Sequence, residues 1–87
     1  MNILDFKLLL AKSAYAPKEV LEILAKDENY LVRASVAQNL NAPKEILKIL
    51  AKDKDYLIRA CVIRNSNISK EILEVLANDK DPFVRAS

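Results

Sequence analysis

Three pairs of opposite charge stand out in the sequence: Asp27 with Arg33, Asp53 with Arg59, and Asp79 with Arg85, each pair six residues apart. A carboxylate beside a guanidinium can hold a substrate charge, shift a proton affinity, or bind its partner through charge-assisted hydrogen bonds. The pairs recur every 26 residues, and that decides between these chemistries, because an active site is normally made once. We therefore expect a structural ladder in which each Asp accepts hydrogen bonds at a turn and each Arg ties that turn to a neighbour. Charge-assisted bonds of this kind contribute roughly 1.5 to 3 kcal/mol each.

Other chemistry is excluded by what the 87 residues lack. Without Gly there is no phosphate-binding loop, dinucleotide turn or EF-hand loop. Without His the usual general base and the commonest zinc ligand are missing. A single Cys, Cys61, forms no internal disulfide or multi-cysteine metal site, and its alignment with Ser35 and Ser87 marks it as a packed small side chain. The runs Asp53-Lys54-Asp55 and Asp79-Lys80-Asp81 superficially match the opening of a calcium loop, but Leu57 and Phe83 occupy the next alternate positions. No aligned acid and base is present, so we expect no enzyme activity, no metal and no cofactor.

These side chains must be positioned by repeated elements. Lys18–Pro43 and Lys44–Ser69 are identical at 15 of 26 positions, and Lys70–Ser87 continues the pattern with 11 of 18. Asp5–Pro17 aligns with Leu31–Pro43, so the chain reads as one repeat domain over 1–87: a half repeat at 1–17, repeats at 18–43 and 44–69, and a shortened one at 70–87. Units of this length cannot bury their apolar faces alone and must stack. Each unit reads as two helices. The first spans 18–26, with equivalents at 44–52 and 70–78, and Pro17 and Pro43 stand at its start. Val20, Leu21, Ile23 and Leu24 cover about 160° of the wheel, enough to touch a partner helix and both neighbouring units. The second helix starts from the caps Asn29, Asp55 and Asp81, with Pro82 at a first helical position. It is expected to bury Val32, Val36 and Leu40, with Ile58 and Val62, and to leave through left-handed Asn39 and Asn65, the substitutes for absent glycine.

The segment Leu24-Ala25-Lys26-Asp27, followed by Val32-Arg33-Ala34-Ser35-Val36-Ala37-Gln38-Asn39 and then Pro43, resembles the leucine-rich repeat variant family, whose units carry LAxD, VRxxVAxN and an opening Pro. The family lies within the HEAT/armadillo-like class, where an Asp six residues before an Arg recurs. The resemblance covers about residues 5–87. It departs at Ser69 in place of Pro, and at Ile63 and Ser66 in place of Ala37 and Leu40. It implies an all-α fold, a right-handed α-solenoid of stacked two-helix repeats, with one helix of each pair partly 3₁₀.

Turned away from Val32, the second helices present three rows: Leu4, Tyr30, Tyr56 and Pro82; Leu8, Ala34, Ala60 and Ala86; Lys12, Gln38 and Arg64. The resemblance makes this the concave side, and Tyr30, Gln38, Tyr56 and Arg64 are the expected contacts of a protein or peptide. The reading is therefore a noncatalytic protein-interaction or scaffold module. The alternative is weak nucleic-acid or anion binding through Lys44, Lys48 and Lys52 of the middle unit, which carries a charge of +3 within a total of +2. No apolar stretch approaches the ~20 residues of a membrane span. Asp5 and Lys7 interrupt the N-terminal run and make it a poor secretory signal, so a cytoplasmic location is expected. The shortened last unit is expected to expose apolar surface and favour end-to-end association or a neighbouring segment.

Overall fold

A computed structural model describes residues 1–87 as seven helices and no strands. They are α1 (Ile3–Lys12), α2 (Lys18–Leu24), α3 (Tyr30–Gln38), α4 (Lys44–Leu50), α5 (Tyr56–Ile63), α6 (Lys70–Ala77) and α7 (Pro82–Ala86). No helix is long and apolar enough to cross a membrane. Local chemistry starts each one. The side chains of Asn29, Asp55 and Asp81 accept the amides of Leu31, Leu57 and Phe83 at 2.8, 2.9 and 2.8 Å. Pro17 and Pro43 occupy the position before α2 and α4 and offer only their carbonyls, whereas Ser69 before α6 adds an Oγ that accepts the Ile72 amide.

The odd-numbered helices pack on one another in order, α1 on α3, α3 on α5, and α5 on α7. The even-numbered helices form a second row in which each packs on the odd helices before and after it. The molecule is drawn out to 39 × 20 × 16 Å, and one apolar core runs its length. Equivalent positions fill that core in successive units: Leu24, Leu50 and Leu76 from the even row, and Val32, Ile58 and Val84 from the odd row, are all buried.

Three expectations need correction. Ile23 is 71 % exposed, and Ile49 and Val75 are exposed with it, because the even helices pack mainly on the odd row and less on one another. Leu40 is 60 % exposed because α3 stops at Gln38 and leaves Leu40 in the turn. No residue has a positive φ, so Asn39 and Asn65 are not left-handed exits. Asn39 leaves α3 in extended backbone, and its buried amide donates to the carbonyls of Ala11 and Ser13 at 2.8 and 2.9 Å. Its Oδ1 accepts the Asn41 amide. Asn65 does the same one unit later, donating to Ala37 and Asn39 at 2.7 and 3.1 Å and accepting from Asn67. Ala11 and Ala37 stand in the last turns of α1 and α3, where carbonyls have no intrahelical partner, so each Asn satisfies the end of the preceding odd helix.

The charged ladder ties the opposite ends of the same helices. Arg33 donates from Nη1 to the carbonyls of Asp27 and Glu28 in its own unit, and from Nε to Asp53 Oδ2 of the next at 2.9 Å. Arg59 repeats this, with Nη1 on the Asp53 carbonyl and Nε and Nη2 both on the Asp79 carboxylate, at 2.8 and 3.2 Å. Lys7 stands in the same place in α1 and reaches Asp27 at 2.7 Å. Each carboxylate also accepts a turn amide, those of Asn29, Asp55 and Asp81. Arg85 reaches the Asp79 carbonyl and no carboxylate.

The side chains of Arg33 and Arg59 are only 10 % and 9 % exposed, so losing one strands a carboxylate away from water. Arg59→Ala should therefore cost about 3 kcal/mol and lower the melting temperature by on the order of 15 °C. Arg85→Ala should cost under about 1 kcal/mol. Equal melting temperatures for the two variants would show that the rung between α5 and the turn before α7 holds nothing.

Candidate functional site

The exposed face of the odd row carries the residues that sequence reading marks for partner contact. Tyr30 at the start of α3 and Tyr56 at the start of α5 are 49 % and 44 % exposed, and Leu31 and Leu57 are exposed beside them. Asn29 and Asp55 hold the backbone there by capping, so the rings project from fixed helix ends. Ala34 and Ala60 follow one turn later. Their small side chains suit the close packing of the odd helices, and Ala60 is buried.

Phe83 joins this group, next to Pro82, which begins α7 as Tyr30 and Tyr56 begin α3 and α5. The Phe83 ring meets Tyr56 edge-on, with centroids 5.7 Å apart and planes at 86°. The Arg64 guanidinium lies over the Phe83 ring, 5.6 Å from its centroid, and its Nη2 reaches Ser87 Oγ at 3.5 Å. Tyr56, Phe83 and Arg64 thus form one cluster across α5 and α7, worth roughly 1 kcal/mol per aromatic or cation contact beyond area burial. Gln38 is exposed and stands apart from it, with Nε2 3.5 Å from Cys61 Sγ. The signal for Phe83 was available in the repeat: it stands where earlier units carry Leu31 and Leu57.

On the even row, Lys44, Lys48 and Lys52 are exposed and line one wall of a cleft of about 430 Å³ between α4 and α6. Ser69, Ile72 and Val75 line it from the α6 side, and Glu45 and Glu71 also border it. None of the three lysines is in an ion pair.

The carboxylates that could have served chemistry are committed to structure. Asp53 accepts the Asp55 amide and Asp55 accepts the Leu57 amide. No three Asp, Glu or Cys side chains gather where they could hold a metal ion, and no buried side-chain nitrogen or oxygen lacks a hydrogen-bond partner. The hydrogen bond from Lys7, backed by the Asn29 amide, holds Asp27 below its ordinary value of 3.8 against the opposing effect of burial. For Asp79 burial acts most strongly and upward, and the Asp81 amide together with Arg59 overcomes it, so this carboxyl is also lowered from 3.8.

Both carboxyls release their protons more readily folded than unfolded, so their stabilisation is complete above the unfolded value. It is lost as pH falls through the lower folded values. The melting temperature should therefore be flat above about pH 5 and fall on acidification past 3.8. Asp27→Asn should make that acid limb shallower. An unchanged limb in thermal scans from neutral pH to pH 2 would separate Asp27 from acid unfolding. Compared with protein-family models, curated proteins and solved structures, the chain gives no match.

Proposed function

We propose that this chain is a noncatalytic protein-binding or scaffold module, a right-handed α-solenoid of 26-residue helix pairs resembling the leucine-rich repeat variant type within the HEAT/armadillo-like class. Its place of action is the cytoplasm in this reading. What supports the architecture is equivalence: Arg33 and Arg59 make the same bonds one unit apart, as do Asn39 and Asn65. The odd helices pack on one another more extensively than the even helices do, and a stack built this way curves with the odd row inside.

The single observation that carries the function is the exposed row Tyr30, Tyr56 and Phe83, with Leu31 and Leu57 alongside, on helices locked by the ladder below them. Aromatic residues and Arg dominate interface energetics because they bring large area at small entropic cost, and rigid helices lower that cost further. Arg64 is already stacked on Phe83 before any partner arrives. The partner chemistry that fits is a protein or peptide surface offering apolar side chains to the rings and an acceptor to Arg64.

Tyr30→Ala/Tyr56→Ala should abolish or weaken capture of a specific partner by roughly 30-fold or more, since central aromatic anchors each contribute about 2 kcal/mol or more. Circular dichroism should show the helices intact, because both rings are exposed. Equal recovery of every captured protein by wild type and double variant would overturn the reading.

A further inference from the structure

Repetition separates the residues that the fold needs from those that it does not. Along α2, α4 and α6 the residue one turn into the helix is Glu22, Lys48 and Glu74, so the middle unit alone reverses the charge. The position before these helices is Pro17, Pro43 and Ser69, and there the last of the three departs. The two departures meet across one cleft, Lys48 on the α4 wall and Ser69 on the α6 wall. Lys44 and Lys52 flank Lys48 on its wall, one turn away on either side, and no ion pair inside the molecule occupies any of the three. Facing them from α6, Val75 is 60 % exposed with Ile72 beside it, and Ser69 and Glu71 border the same wall.

We propose that the α4/α6 cleft binds an acidic peptide segment in extended form, its carboxylates on Lys44, Lys48 and Lys52 and its aliphatic side chains on Val75 and Ile72. Lysines one helical turn apart recur about every 6 Å, close to the roughly 6.6 Å between alternate side chains of an extended chain. Successive side chains of such a chain point to opposite faces, so carboxylates at every second position can follow the lysines while an aliphatic side chain between them meets Val75. The cleft volume lies within the usual range of ligand pockets. Nucleic acid fits less well, because each of its units adds a phosphate and none an aliphatic group for Val75. The surface belongs to the even row and is independent of the tyrosine face.

The test is fluorescence anisotropy with the full chain and a labelled twelve-residue peptide of repeated Glu-Leu-Glu-Ser, alongside the same peptide with Ser for Leu and a single-stranded DNA of similar length. The Glu-Leu-Glu-Ser peptide should bind most tightly, and affinity should fall as salt rises. Lys48→Glu restores the residue found in α2 and α6, so its melting temperature should match wild type while affinity falls about tenfold. Tyr30→Ala/Tyr56→Ala should bind the peptide as wild type does. Absence of peptide binding, wild-type affinity in Lys48→Glu, no loss with the Ser-for-Leu peptide, or tighter binding of the DNA would each overturn the assignment.

Discussion

A single guanidinium decides how each helix pair meets the next. Arg33 and Arg59 are planar, permanently charged and nearly buried, and each spends one edge on carbonyls of its own turn and the other on the carboxylate of the following turn. Burying such a charge is costly unless it is paired and hydrogen-bonded. The next unit must therefore bring its Asp to one place, and that fixes spacing and rotation together. The buried Val32, Ile58 and Val84 supply apolar area but little direction. The polar ladder supplies the direction.

A second constraint comes from the other end of the same helices. A short helix leaves its last carbonyls unpartnered, and in a stack those ends are buried. Asn39 and Asn65 meet this need from the following unit, each using both amide hydrogens on a neighbour and its oxygen on its own turn. The odd helices are thus held at one end by charge and at the other by amides. Side chains on their outer face inherit that rigidity, which is why Tyr30, Tyr56 and Phe83 can stand exposed at set positions.

Much of this was legible from the residues. The caps Asn29, Asp55 and Asp81, the helix pairing and the buried valines follow from local rules that need no neighbour. The ladder was readable only as spacing: six residues separate Asp27 from Arg33, yet Arg33 takes the Asp27 carbonyl and finds its carboxylate twenty residues on, at Asp53. Asn39 is ambiguous in sequence because a left-handed exit and a side-chain bridge demand the same residue at the same helix end. The exposure of Ile23 is hidden from sequence because periodicity gives the width of an apolar face without saying whether a neighbour comes close enough to cover it. The lysine row was visible in sequence, but its placement opposite Val75 depends on the gap between α4 and α6. Phe83 entered the aromatic face because repeat alignment gives equivalent positions and leaves open which of them point at one another.

The account stands most directly on the energy of one rung. A double-mutant cycle of Arg33→Gln and Asp53→Asn, followed by urea unfolding, isolates the bond between them from the other roles of each residue. If the rung joins successive helix pairs, the two changes should be coupled by at least about 1.5 kcal/mol. Additive losses would mean that the guanidinium serves only its own turn, and that apolar packing alone sets how the pairs stack.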